Sequence, residues 1–162
     1  MIREILLVIH IFLACIWVGG ILFVGWGVYP AAAKMKLHVQ RKFLLSLMKH
    51  VHHLFTLAGF GVILSGILLG TVFGPIHSID MLWHTAYGKT WLAALITGSI
   101  TLFWGVCIGY REMKLIFTDI FLWREAANGN KKPLYRELIR LAALESVEAV
   151  GFTVLIILMV AL

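Results

Sequence analysis

Residues 5–29, ILLVIHIFLACIWVGGILFVGWGVY, run for 25 positions without a formally charged side chain. A helix rises about 1.5 Å per residue, so roughly 20 residues cross a hydrocarbon core of about 30 Å. This run therefore reads as a membrane span with a turn to spare, and it constrains the fold more than any other feature. His10 lies inside it. An imidazole in hydrocarbon is costly unless paired, which makes His10 a candidate functional residue. A hydrogen bond to a neighbouring helix is the plainer use of such a side chain.

Three more apolar runs complete the pattern, giving spans at about 5–29, 51–73, 89–110 and 138–162. Hydrophobic residues make up 61% of the chain and charged residues 14%, far from the roughly 45–50% and 25% of soluble domains. The first run is too long for a signal-peptide core and lacks a small-residue cleavage site, so it is expected to persist as a helix. Cys15 and Cys107 fall in different spans at different depths, which argues against a disulfide.

The formal net charge of +6 does not point to nucleic acid, because of where it sits. Of 14 Lys and Arg, five lie in residues 31–50 and seven in 111–140; only Arg3 and Lys89 lie elsewhere. Basic residues gather in cytoplasmic connections. The expectation is an all-α integral membrane four-helix bundle, one domain over residues 1–162, with both termini and the 76–88 loop outside. Its setting is a cell (inner) membrane and its first partner the lipid bilayer.

Local signals punctuate this plan. Pro30 discourages helix in the residue before it, Gly74-Pro75 breaks the second span, and Asn128-Gly129-Asn130 reads as a turn. Pro133 suits a first helical turn. The apolar LIFTDIFLW inside the second basic segment either lies along the membrane surface or extends the third span. Glycines 19, 20, 25, 27, 59, 61, 66 and 70 give small-residue faces for helix packing. The same faces could dock another membrane protein or a second copy of the chain.

Topology sorts the polar groups into two layers. His10, His77, Asp80, Met81, His84 and Lys89 belong near the outer face. His50, His52 and His53 sit at the inner mouth of span two. The last helix supplies Glu145 and Glu148 one turn apart on one face. Intramembrane carboxylates face the bundle interior and are paired or protonated, so His53 is expected to face Glu145. The alternative is that Glu145 and Glu148 pair with Arg140, Lys49 or another inner-mouth residue and merely fix helix packing. His10 and His53 differ in depth by more than about 20 Å, so they cannot share a ligand.

Imidazole ligates haem iron and copper, and thioether sulfur favours Cu(I). In HSIDMLWH, His77, Met81 and His84 follow an i, i+4, i+7 pattern with Asp80 a turn before His84, which on a helix would suit a copper site. Haem b is the competing occupant of a four-helix membrane bundle, with His10 as one ligand and His84, His77 or Lys89 as the second. His53 stands as a separate candidate ligand. Six Trp and ten Phe would line a haem pocket, and would equally serve as an interfacial belt. No Ser–His–Asp spacing, HExxH, Walker loop or nucleophile elbow is present. Any enzyme activity would be that of a membrane oxidoreductase.

Two stretches resemble known families. HIFLACIWVGGILF followed by VYPAA resembles the first span of CopD-type (copper resistance protein D) membrane proteins, and also that of HemJ-type protoporphyrinogen oxidases. TAYGKTWLAALITG resembles the CopD-type span with a Tyr-Gly motif. The resemblance implies copper movement for the first family. For the second it implies haem b held by a histidine of the first span and a lysine of the third. His10 matches that histidine; the lysine's place falls near Ala94, with Lys89 the nearest lysine. Three functions stand at this point. They are a haem- or copper-binding bundle that handles metal or electrons near the outer face, a non-catalytic assembly subunit, and a proton or ion pathway using Glu145, Glu148 and His53.

Overall fold

The computed structural model describes residues 1–162. Four helices are long and apolar enough to cross a membrane: α1 (Ile2–Ala32), α2 (Leu37–Gly70), α4 (Ala86–Thr118) and α6 (Lys132–Val160). Two short helices join them, α3 (Ile79–His84) and α5 (Ile120–Ala127). There is no strand. The chain is an all-α four-helix bundle of the multi-pass membrane type. Its longest pairings are α1 along α2 and α4 along α6, with α2 also against α4.

Each long helix outruns the apolar stretch that announced it. The basic segment 31–50 is mostly the first part of α2, where Leu44 and Met48 are buried and Lys42 and Lys49 stay exposed. The second basic segment likewise continues α4 to Thr118. There Arg41 of α2 closes the helix end: its Nε donates to the Phe117 carbonyl at 3.0 Å and Nη2 to that of Thr118 at 3.3 Å. The Asp119 carboxylate then accepts from the amides of Phe121 and Leu122 at 2.9 and 3.0 Å, starting α5. LIFTDIFLW thus both extends the third span and begins a separate helix.

The chain also passes through Pro30 without breaking. A proline ring clashes with the carbonyl four residues back, but Val24–Val28 is a widened π-helical turn that precedes it directly. Similar turns occupy Cys15–Gly19 in α1 and Gly105–Gly109 in α4. Each contains glycine. The turn at Asn128-Gly129-Asn130 forms as expected, with Gly129 at φ 109°.

The main core lies at the basic end. Ala32, Leu44, Met48, Ile116, Phe117, Trp123, Ala126, Leu134 and Leu141 form one buried cluster there. A smaller cluster of Trp17, Ala58 and Phe152 sits mid-bundle, with Trp17 edge-on to Phe152 at 5.1 Å between ring centroids. No residue of Ile2–Ala14 is buried, and Phe12, Phe60, Ile100 and Phe103 are exposed. That surface is suited to lipid tails.

Candidate functional site

Between the two clusters the helices part around a cavity of about 80 Å³. One stripe from each long helix lines it: Trp17, Ile21, Gly25 and Tyr29 of α1; Met48, His52, Phe55 and Thr56 of α2; Gly105, Gly109, Tyr110 and Met113 of α4; Glu145 and Glu148 of α6. All three π-helical turns contribute residues to this wall. Such turns occur often at functional sites, because an added residue loosens the backbone ladder and re-aims side chains.

The acids are the chemical centre. Glu148 is 6% exposed. Its carboxylate rests against Gly105, where an added Cβ would collide with Oε1. It takes part in no hydrogen bond or ion pair within the chain. Glu145 accepts a hydrogen bond from the Tyr29 hydroxyl at 3.0 Å. His52 stacks flat on Tyr110, with centroids 3.5 Å apart and planes 11° from parallel. No Lys or Arg lines the cavity. Arg140, one proposed partner for the acids, is engaged elsewhere: it meets Glu112 at 3.1 Å and Glu137 at 3.3 Å.

The expected pairing of His53 with Glu145 does not occur. Adjacent residues on a helix point about 100° apart, and His52 is the one that shares a face with Met48 and Phe55; His53 is exposed. Tyr29 fills the place assigned to His53. Nothing in the reading of α1 as ending at Tyr29 marked that residue as a site.

His10 makes a second, smaller polar site. Its Nδ1 lies 2.8 Å from the Ser65 hydroxyl of α2, and its ring packs on Gly66. The Ser65 hydroxyl also reaches the Gly61 and Val62 carbonyls at 2.6 and 3.1 Å. With its hydrogen on either of them it accepts from His10 Nδ1, the tautomer that leaves a lone pair on Nε2. Ser65, not His84, His77 or Lys89, is the partner of His10; those three are exposed. The twelve positions from His53 to Ser65 on α2 correspond to roughly 18 Å. That is less than the expected separation, yet still too far for a shared ligand.

The 76–88 loop does not assemble the expected copper face. Ser78 caps α3, accepting from the Met81 amide at 3.4 Å, so His77 precedes the helix and lies off the face of Met81 and His84. Asp80 and His84 do share a face and meet at 3.4 Å, both largely exposed. No group of three or more His, Cys, Asp or Glu side chains in the structure is placed to hold a metal ion. Comparison of the chain with protein-family models, curated proteins and solved structures finds no match.

Proposed function

We propose that the chain is a membrane-embedded cation-binding protein whose working site is the Glu145–Glu148 cavity, with a proton as the resident cation when no other is bound. The observation that carries this is Glu148: a residue 6% exposed whose carboxylate has no partner in the chain and opens onto a cavity that no Lys or Arg enters. A buried carboxylate left uncompensated costs several kcal/mol, on the order of 3–5 where a partner has been removed. Uptake of a cation removes that cost. Tyr29 orients Glu145, and His52 beside Tyr110 offers a further basic nitrogen at the same depth.

Binding is favoured over conduction through the bundle. Hydroxyls toward the other end return to their own helices, Thr101 to the Thr97 carbonyl at 2.8 Å and Thr153 to that of Ala149 at 2.9 Å. They offer no continuous polar route between the Glu148 and His10 levels. With the basic connections on the cytoplasmic side of a cell (inner) membrane, as the charge distribution favours, the cavity belongs to the inner half of the bilayer on this reading.

Mass-spectrometric mapping after treatment with dicyclohexylcarbodiimide, a lipid-soluble reagent for protonated carboxyls, tests the reading. Glu148 should be modified, and acid-minus-alkaline infrared spectra should carry a carboxyl band that Glu148→Gln removes. A protein with neither signal has no such site.

A second reading rests on His10: in the tautomer that donates from Nδ1 to Ser65, Nε2 keeps a lone pair with which it can ligate a metal. Haem b does not fit this chain alone. His53, His84 and Lys89 are not set against His10, and the Glu145–Glu148 cavity does not reach it. Copper held by His10 and a donor from a second copy or a partner membrane protein is the form left to the metal-handling function. Metal analysis and a reduced-minus-oxidised spectrum of the purified protein decide it: a colourless, copper-free preparation ends this reading.

A further inference from the structure

We infer that the cavity is a binding site for the ammonium head of an organic cation, a quaternary ammonium amphiphile reaching it from the surrounding lipid. This deepens the cation-binding reading and rests on it.

The walls decide the ligand class. A hard divalent ion asks for six or more oxygens around it, yet apart from Glu145, Glu148, Tyr29 and Thr56 the lining is dominated by apolar and aromatic side chains. An alkylated ammonium asks for something different: negative charge at a distance and aromatic faces in contact. Both are present. Trp17, Phe55 and Tyr110 contribute rings from three helices, and the two carboxylates stand on the fourth. Glu148 is unpartnered, more than nine-tenths buried and borders this space. Among the groups facing it, Glu145 is acidic, Tyr29 and Tyr110 are neutral phenols and His52 is the one base, so no fixed positive charge competes.

The route follows from the bundle's weakest wall. α1 packs along α2, and it reaches α6 through the Trp17–Phe152 and Tyr29–Glu145 contacts. Between them Gly25 lines the cavity with no atom within 4 Å of where its Cβ would stand. Val24 and Val106 beside it are only half-buried. The wall at Gly25 thus carries no side chain and is part-exposed on the side of the surrounding lipid, which suits a molecule whose tail stays in the bilayer.

The test uses the full chain in neutral maltoside micelles, with tetramethylammonium and dodecyltrimethylammonium as probes and carbodiimide labelling of Glu148 as readout. Dodecyltrimethylammonium should slow labelling at least tenfold, and Phe55→Leu with Tyr110→Leu should weaken that protection tenfold, read in each protein as the ratio of labelling rates without and with the probe. Equal protection by both probes supports the ammonium site and assigns its ligand to water. Stronger protection by the dodecyl probe supports both site and route. Labelling that neither probe slows overturns the inference and leaves cation binding by Glu148 standing; absence of labelling together with absence of the carboxyl infrared band removes both. Folding of the variants is checked by retained labelling and an unchanged elution profile.

Discussion

The bundle carries ionisable groups at two depths and treats them in opposite ways. Near the terminal end, His10 meets Ser65, and the Ser65 hydroxyl in turn reaches the Gly61 and Val62 carbonyls. That chain of bonds is closed on the bundle side and leaves one nitrogen over. Toward the basic end, Glu145 finds only a phenol and Glu148 finds a cavity. A polar group that the fold satisfies is a packing device with a spare valence. One that the fold shelters and leaves unsatisfied depends on something outside the chain.

This contrast can be broken at measurable points. The largest effect should come from Gly105→Ala, because the new methyl collides with the Glu148 carboxylate; overpacking of this kind costs about 1–3 kcal/mol. Unfolding in SDS titrations should show that loss, and adding Glu148→Ala should recover most of it. A Gly105→Ala protein as stable as the parent would mean that the acid is not seated there. Next, Ser65→Ala removes the partner of His10 Nδ1. Interhelical bonds in membranes are worth about 0.6 kcal/mol on average and reach about 1.7, and the loss should lie in the upper part of that range. Should Ser65→Ala prove neutral, the closed site is not a stabilising one.

Tyr29→Phe comes third. The cavity lets water replace the lost phenol, so the cost should be near the 0.6 kcal/mol average, with faster carbodiimide labelling of Glu145 as its signature. Unchanged labelling would show that Tyr29 does not shield the acid. The smallest effect belongs to Arg140→Gln. Arg140 is 59% exposed, and pairs of this kind contribute below about 1 kcal/mol. A larger loss, or altered labelling of Glu148, would tie the surface cluster to the cavity.

Much of this was legible in the sequence, and the failures are specific. Four spans followed from run length and charge, because lipid filters composition more severely than water does. Burial of Glu148 followed from its place in the last helix. The choice of His53 over His52 missed a stripe present in the letters: Met48, His52 and Phe55 recur at helical spacing, whereas His53 falls with Leu54 and Leu57 on the exposed side. Tyr29 was hidden for another reason. Trp17, Ile21, Gly25 and Tyr29 recur every four residues, a period that keeps to one face when a helix is locally widened. The interior glycines hinted at widening, but small residues also serve ordinary close packing. The ends of α2, α4 and α6 away from the basic segments fitted the run-length reading better than the ends within them, where amphipathic helix carries basic residues on one side and Leu44, Met48, Ile116 and Leu134 on the other.

The indole bonds set the first helix apart. Trp91 of α4 donates to the Gly66 carbonyl of α2 at 3.2 Å, Trp104 to that of Leu144 on α6 at 3.0 Å, and Trp123 ties α5 to Ile116 of α4 at 3.0 Å. None of these donors gains or loses a proton in the working range of a cell. The first helix is fastened differently, by an imidazole to α2 and by a phenol–carboxylate bond to α6. The long helices other than the first are thus tied by donors blind to acidity, while the hydrogen bonds of the first involve an imidazole and a carboxylate, groups that can take up a proton. A change of protonation would be felt first at the bonds of that helix.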